Sequence, residues 1–585
     1  MPLISDIDWD DMVAQEMPRD SDPIIQQYLN NRQRLMDEEH KQRSDYSFRQ
    51  ALSPIAKEAC AIVSRIRQEE QRTIWTSSLE EHLAQDPSSR IVFPGMMFSL
   101  AKGLMESTTL WKIIHKMPKG ALLHAHCDAM VPIATLLAII LTTPGMHLSA
   151  PVPLSTPSAL HATPLSIRFR KPPLPSPPPA GSSIWADGYA PDTYIPLTDA
   201  ADAFPDGGRD GFCKWLYSRC VLAPGDAVNQ HHGQDAIWEA FGRCFQVLGE
   251  VIHYEPVWRA FLQELMALLA ADGVSWVELR FTWPLNYCRE GREEPEPDYN
   301  HMFEVLEEEL ANFKATDEGA GFWGIRMIWT SFRQNPMRHI VNDMENCITT
   351  KLEWPHLIAG YDLVGPEHDG RALADLLPEL FWFRKQCAVE GVELPFFFHA
   401  GECLGDGDEA DNNLYDALLL GTRRIGHGFS LYKHPRLIQA VRDKRVLIES
   451  CPISNEVLRL TGSIMQHPLP ALLARGVPCS LCNDDPAILG QDAAGMTHDF
   501  WQALQGWENL GLAGLGSLAE NSVRWAAFED QDNEAWARDI RAASFGGGIK
   551  GERLRQWAVE WERFCLWIVT EYGEIYGEAS EAGDV

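Results

Sequence analysis

Met117–Val131 reads MPKGALLHAHCDAMV. Its centre, Gly120–His126, is a small and apolar run that ends in His-x-His, and Asp128 follows two residues later. Strand side chains alternate between faces, so His124 and His126 share one face of a strand that reads as buried. Two imidazoles presented together are half of a metal site. The same pair also suits histidines packed in a core, and the rest of the chain has to separate the two.

Seven more segments resemble this one: SWVELRF, GIRMIWT, LIAGYDLVG, LPFFFHAG, RIGHG, RVLIESCP and VPCSLCNDD. RIGHG has the least strand character. Amphipathic helical stretches such as VWRAFLQELMALLAADG and HMFEVLEEELANF lie between most of them. Eight strand-helix alternations of this length read as an α/β fold, a (β/α)8 TIM-type barrel. The polar residues cluster at the strand ends: His124 and His126, His399 and Glu402, His427, Asp484 and Asp485. In a parallel barrel those ends share one rim, where barrel active sites lie.

Two regions depart from the barrel rhythm. Residues 1–115 carry charged, helix-patterned stretches and read as an N-terminal helical extension, followed at 116–142 by the first barrel strand and helix. VPIATLLAIILTT within the latter contains Pro132 and is short for a bilayer, so it reads as a buried helix. Residues 143–233 read as an insertion. Its first part, PVPLSTPSALHATPLSIRFRKPPLPSPPPAG, is dense in proline and serine and is expected to be extended or disordered, contributing little core. Residues 234–570 hold the rest of the barrel and C-terminal helices, and 571–585 read as an acidic flexible tail.

Composition narrows the partners. The 585-residue chain has a formal charge of -32, with 45% hydrophobic and 23% charged residues. An acidic surface of that size is repelled by nucleic acid and by anionic membranes, so neither is expected as a partner. Cys479-x-x-Cys482 lies on a probable strand, where positions three apart face opposite sides, which argues against a metal or redox role. The acidic N-terminus lacks a basic stretch followed by an apolar core, so a cytoplasmic location is expected.

The rim residues fit one chemistry. His124, His126 and His399 offer three nitrogens and Asp484 an oxygen, a donor set that suits one Zn2+ per chain with room for a water. Such a zinc brings the pKa of water towards neutrality. Glu402 lies close to His399 in sequence and is better placed as a general acid, its pKa raised in a desolvated pocket. His427 is a candidate to orient or deprotonate the attacking water, and Asp485 to hydrogen-bond that water or a substrate nitrogen.

HAHCD, HAGE, RIGHG and NDDP, in this order, resemble the adenosine and AMP deaminase family of zinc barrels. MPKGALLHAH, VIHYEPVWR, GYDLVGPE, FFFHAGE, TRRIGHGFSL, CPISNEVL and DDPAILG are similar to its adenosine deaminase-related growth factor group. The resemblance implies hydrolytic deamination of adenosine, and of 2'-deoxyadenosine, to inosine and ammonia. It also implies zinc on His124, His126, His399 and Asp484, with Glu402 donating a proton to purine N1 and His427 acting on the zinc-bound water. Asp485 would bond N7 or help orient the nucleophile, the Gly365 N–H would contact N3, and Asp128 and His253 would meet the ribose. A homodimer through the N-terminal helices is a further implication, and secreted members make an extracellular location the alternative. The alternatives in function are a deaminase of another adenine nucleoside or nucleotide, and a non-catalytic nucleoside-binding or signalling protein.

Overall fold

The computed structural model describes residues 4–75, 97–171, 183–222 and 233–577. Strand β1 (Gly120–His126) is followed by three short strands, β2 (Met146–Ser149), β3 (Ser166–Phe169) and β4 (Ile195–Pro196). Then come β5 (Val274–Thr282), β6 (Gly324–Phe332), β7 (Ile358–Val364), β8 (His399–Ala400), β9 (Arg424–His427), β10 (Leu447–Ser450) and β11 (Cys479–Leu481). β1-β5-β6-β7 pair in parallel as one half of a barrel, and β8-β9-β10-β11 as the other.

Two thin seams join the halves. At one, Tyr361 and Phe396 form a bridge, with Tyr361 N–H donating to Pro395 O and Phe397 N–H to Tyr361 O, both at 3.0 Å. At the other, Ala125 and Asp484 form a bridge, with His126 N–H donating to Asp484 O at 3.0 Å and Asp484 N–H to His124 O at 3.2 Å. The second seam therefore carries three of the candidate metal ligands. RIGHG supplies all four residues of β9, whereas the aromatic LPFFFHAG pairs regularly over only two, because its preceding residues cross the first seam.

Aliphatic layers usually fill such a barrel. Here charged side chains from several strands replace part of them: Glu278 and Arg280 of β5, Asp362 of β7, Arg424 of β9 and Glu449 of β10, all fully buried. They neutralise one another by ion pairs, which offsets the cost of burying charge.

The helix Pro54–Thr73 buries Ala56, Ala59, Ile62, Val63 and Ile66 and packs against the C-terminal helix Ile549–Tyr576. Asp6–Gln15 and Pro23–Gln42 bury no residue, and Ile7, Trp9, Ile24, Tyr28 and Leu35 lie exposed along them. Among the described residues no helix is long and apolar enough to cross a membrane.

Two expectations are corrected. The insertion is ordered where it is described: β2 lies between β3 and β4 in an antiparallel sheet, and Leu148, Leu154 and Ile167 are buried. Proline and serine dominate its composition, but the apolar residues between them join the hydrophobic core that also holds the barrel. Residues 172–182, the densest proline run, lie outside the described residues, as does 223–232. The helix Gly233–Leu248 packs on β3 and on the helix Gly208–Cys220 of the insertion, and also on Pro486–Leu489 beside Asp485, so it bridges insertion and barrel. The C-terminal helix runs to Tyr576, so 571–576 are helical rather than tail, and 578–585 lie outside the described residues.

Candidate active site and metal centre

The strand ends deliver five groups to one point. Asp484 Oδ1 lies 3.3 Å from both His124 Nε2 and His126 Nε2, and His427 Nε2 lies 3.8 Å from Asp484 Oδ2. The His399 ring is centred 4.5 Å from that of His124 and 5.4 Å from that of His126. Tetrahedral ligands about 2.0–2.1 Å from a zinc are separated by about 3.3 Å, so this spacing is that of donors around a shared cation. His124 Nε2 and Asp484 Oδ1 are buried with no hydrogen-bond partner, a costly state that a cation would relieve. The donor set fits a metal ion, and ligand atoms of His124, His399, His427 and Asp484 all lie within 4.8 Å of one another.

The far sides of two of the rings are fixed by carboxylates. His124 Nδ1 meets Glu449 Oε2 at 2.9 Å, and His399 Nδ1 meets Asp362 Oδ2 at 2.6 Å. A carboxylate on Nδ1 keeps the proton there and leaves the Nε2 lone pair facing inward. Asp362 Oδ1 also accepts the His399 and Leu363 N–H groups, at 2.9 and 2.7 Å. His427 and Asp484 both adopt left-handed backbone, each with φ 59°. That conformation costs ~1–3 kcal/mol for a residue with a Cβ, and it turns both side chains off the strand direction into the site. Gly426 is required beside them, because a Cβ there would sit 2.8 Å from His124 Cε1.

Neighbours set the protonation states. Burial pushes Glu402 well above the usual carboxylate range, and the charges of Asp484 and Glu367 add to it against the opposing Arg333. Asp485 is also raised well above its ordinary value, by burial and then by Asp484 and Asp128. Asp484 moves the other way: burial opposes ionisation, but His427, His124 and His126 overcome it. Burial holds His427 well below its ordinary pKa, so it is neutral. Environment thus separates groups that keep a proton, Glu402 and Asp485, from ionised Asp484 and neutral His427.

Glu402 Oε1 lies 3.6 Å from His427 Nδ1, its backbone N–H donates to Glu367 Oε1 at 2.7 Å, and Asn455 meets His427 Nδ1 at 3.3 Å. These groups open onto a cleft of about 720 Å³. Of the ten residues singled out from sequence, nine line it; His124 lies behind the wall, fully buried. Gly365 reaches it with φ 98°, where a Cβ would also strike Gln334 at 2.5 Å. His253 stacks on Phe281, with ring centroids 5.6 Å apart, and burial pushes its pKa down to about 4. Trp238, Phe241 and Phe245 of the helix Gly233–Leu248 form an aromatic wall.

Residues 225–543 match the model of the adenosine deaminase family. The chain belongs to that family. It is 31% identical over 507 residues to Adenosine deaminase 2 of Sus scrofa, covering 85% of this chain and 89% of that protein. It is 32% identical over 450 residues to Adenosine deaminase 2-A of Danio rerio, covering 75% and 82%. With Adenosine deaminase 2 of Homo sapiens it shares 29% over 480 residues, covering 82% and 84%.

In this member of the adenosine deaminase family, sequence reasoning missed Asp362, Glu449, Arg280 and Glu367. A signal was present: Glu278 and Arg280 alternate within an apolar strand, and Asp362 and Glu449 each interrupt one. Arg423 and Arg424, at the N-terminal end of β9, do not line the cleft. Arg424 pairs with Glu278 and Glu449 inside the barrel, and Arg423 donates to Gln531 O and lies over Trp536.

Proposed function

We propose that this protein is a zinc-dependent deaminase that converts adenosine, and 2'-deoxyadenosine, to inosine and ammonia. The observation that carries this reading is a buried, protonated carboxyl, Glu402, beside a four-donor metal centre in one cleft of an adenosine deaminase family chain. The names of the relatives from Sus scrofa and Homo sapiens support adenosine as substrate.

His124, His126, His399 and Asp484 would hold the zinc. His427 stands apart from them because its Nε2 lies 3.8 Å from Asp484, against 3.3 Å for His124 and His126, and its Nδ1 faces Glu402 and Asn455. Zinc bound there supplies Lewis acidity that brings the pKa of a water towards neutrality. Glu402 donates its proton to purine N1, which draws electrons from C6. Neutral His427 accepts one proton of the water that adds to C6 and passes it to the amino group. As the C6–N bond breaks and ammonia leaves, the new C6 hydroxyl returns its proton to Glu402 and becomes the carbonyl of inosine. Asp485, protonated, donates to N7. The Gly365 N–H meets N3, and Asp128 and His253 meet the ribose.

The cleft favours an uncharged nucleoside over a nucleotide. Asp128 and Asp484 line it, beside Glu250 held by Arg168 at 2.8 Å, and Arg280, its lysine- or arginine-type cation, is engaged by buried acceptors. The open apolar faces of Asp6–Gln15 and Pro23–Gln42 support a homodimer through those helices, and the burial of most of the thirteen cysteines as small core hydrophobes suits a cytoplasmic, reducing location. The test is ammonia release by zinc-quantified protein given adenosine, 2'-deoxyadenosine or AMP. Adenosine turnover with about one zinc per chain is expected. Zinc without turnover of any of the three would overturn the reading. His126→Ala should lose zinc and His427→Ala should retain it; the reverse would exchange their roles.

A further inference from the structure

Arg280, in the middle of β5, is fully buried, and its guanidinium makes four bonds. Nε donates to Asp362 Oδ2 at 2.8 Å and Nη1 to Leu123 O at 2.9 Å. Nη2 donates to Phe397 O at 3.1 Å and to Glu449 Oε2 at 2.7 Å. Each acceptor belongs to one of two histidines. Asp362 Oδ2 is also the oxygen on His399 Nδ1, and Glu449 Oε2 is also the oxygen on His124 Nδ1. Leu123 precedes His124 in β1, and Phe397 lies two residues before His399. One planar group therefore grips the backbone and the imidazole partner of both histidines, which sit on opposite sides of the barrel's two seams.

We propose that Arg280 is a positioning residue that couples His124 and His399 into one preorganised metal-binding unit, so that neither ring can turn without disturbing the other. This rests on the metal reading above. Simple charge balance does not explain the geometry. Glu449 has a second cation in Arg424, at 2.5 Å, and Asp362 has two backbone donors, so both carboxylates keep partners without Arg280. What Arg280 alone supplies is the rigid span from Asp362 to Glu449. A lysine would keep the charge but lacks the planar fork needed to reach four acceptors.

Arg280→Lys tests this through zinc release into a chromophoric chelator, with melting temperatures of the apo and zinc-loaded protein alongside. Loss of an outer partner of a metal ligand typically weakens metal binding by ~10–100-fold, and release faster by about that factor is expected. A purely structural arginine would lower both melting temperatures equally and leave zinc release within about threefold of wild type, which would overturn the proposal. Should Arg280→Lys fail to fold, Asp362→Asn, Glu449→Gln and their double variant carry the test. Coupling predicts a double-variant release rate that departs from the product of the two single effects, because one guanidinium joins the sites. Effects that multiply to within about twofold would overturn the proposal instead. A wild-type chain that takes up no zinc at all would refute the metal reading itself, a separate outcome visible before any variant is made.

Discussion

Gly426→Ala places a single methyl against the metal centre. The added Cβ lies 2.8 Å from His124 Cε1, 3.1 Å from its Nδ1 and 3.3 Å from His399 Cα. Carbon contacts relax at ~3.5–4.0 Å, so the His124 ring has to retreat by at least ~0.7 Å. It has nowhere to go. Glu449 Oε2 holds its Nδ1 at 2.9 Å, and the rings of His399 and His427 stand 4.5 and 4.6 Å away, centre to centre. Overpacking of this kind costs ~1–3 kcal/mol, and the displaced ligand should weaken zinc binding by ~10–100-fold. The assay is zinc release into a chelator, with the melting temperature of apo and loaded protein and kcat/KM on adenosine. Gly103→Ala is the control: its Cβ meets nothing within 4 Å on the helix Phe98–Met105, and it should stabilise by ~0.5–1 kcal/mol. Wild-type zinc retention and kinetics in Gly426→Ala would refute the claim that His124 is locked in place.

Glu402→Gln removes the proton donor and no ligand; zinc content should stay at wild type while kcat falls by ~10²–10⁴-fold, read by parallel metal analysis and ammonia release. Because Glu402 acts in its acid form and its pKa is raised, kcat/KM should fall as pH rises through that elevated value. Glu367→Gln removes one of the charges that raise it, so the alkaline limb of the pH profile should move to lower pH; an unmoved limb assigns the titration elsewhere. Chelation should lower the melting temperature reversibly, since zinc at 100 times its Kd stabilises by ~2.7 kcal/mol; an unchanged melting temperature would mean the site does not hold metal. Excising residues 150–181 removes β3 and exposes Leu148, and it takes away Phe169, stacked on Tyr254 at 4.7 Å next to His253. Both a lower melting temperature and a higher KM are expected, and a deletion variant with wild-type values of both would return the insertion to a dispensable role.

The barrel was readable because short apolar runs alternate with amphipathic helical stretches, a pattern local enough to survive without tertiary information. The site was readable for the same reason: His-x-His, His-Ala-Gly-Glu and Asn-Asp-Asp-Pro keep their chemistry within a few residues. The charged interior was not. Asp362 and Glu449 lie 87 positions apart, and only closure of the barrel brings both to Arg280. The left-handed backbone at His427 and Asp484 was equally hidden: Asp and His favour it over other non-glycine residues, but so few of them adopt it that the residue type alone does not locate it. The insertion misled through composition. Proline and serine are counted per residue, whereas order there depends on where Leu148, Leu154 and Ile167 fall relative to one another.

Burial alone does not assign the roles in this cleft. Glu402, Asp484 and Asp485 are all nearly inaccessible to solvent, and burial raises the pKa of each. Their outcomes diverge because of what each faces. Asp484 meets three imidazoles and ionises; Glu402 faces Asp484 and Glu367 and keeps its proton; Asp485 faces Asp484 and Asp128 and does likewise. The ionised carboxylate is the one that can serve a cation, and its charge is a cause of protonation in the other two. The ligand therefore helps to arm the acid. Asp484→Asn should then do two things: lose the metal ligand, and let Glu402 fall towards the ordinary carboxylate range even in metal-free protein. A carboxyl-resolved titration of apo Asp484→Asn against apo wild type measures the second effect alone, and an unshifted Glu402 would mean that desolvation by itself holds the proton.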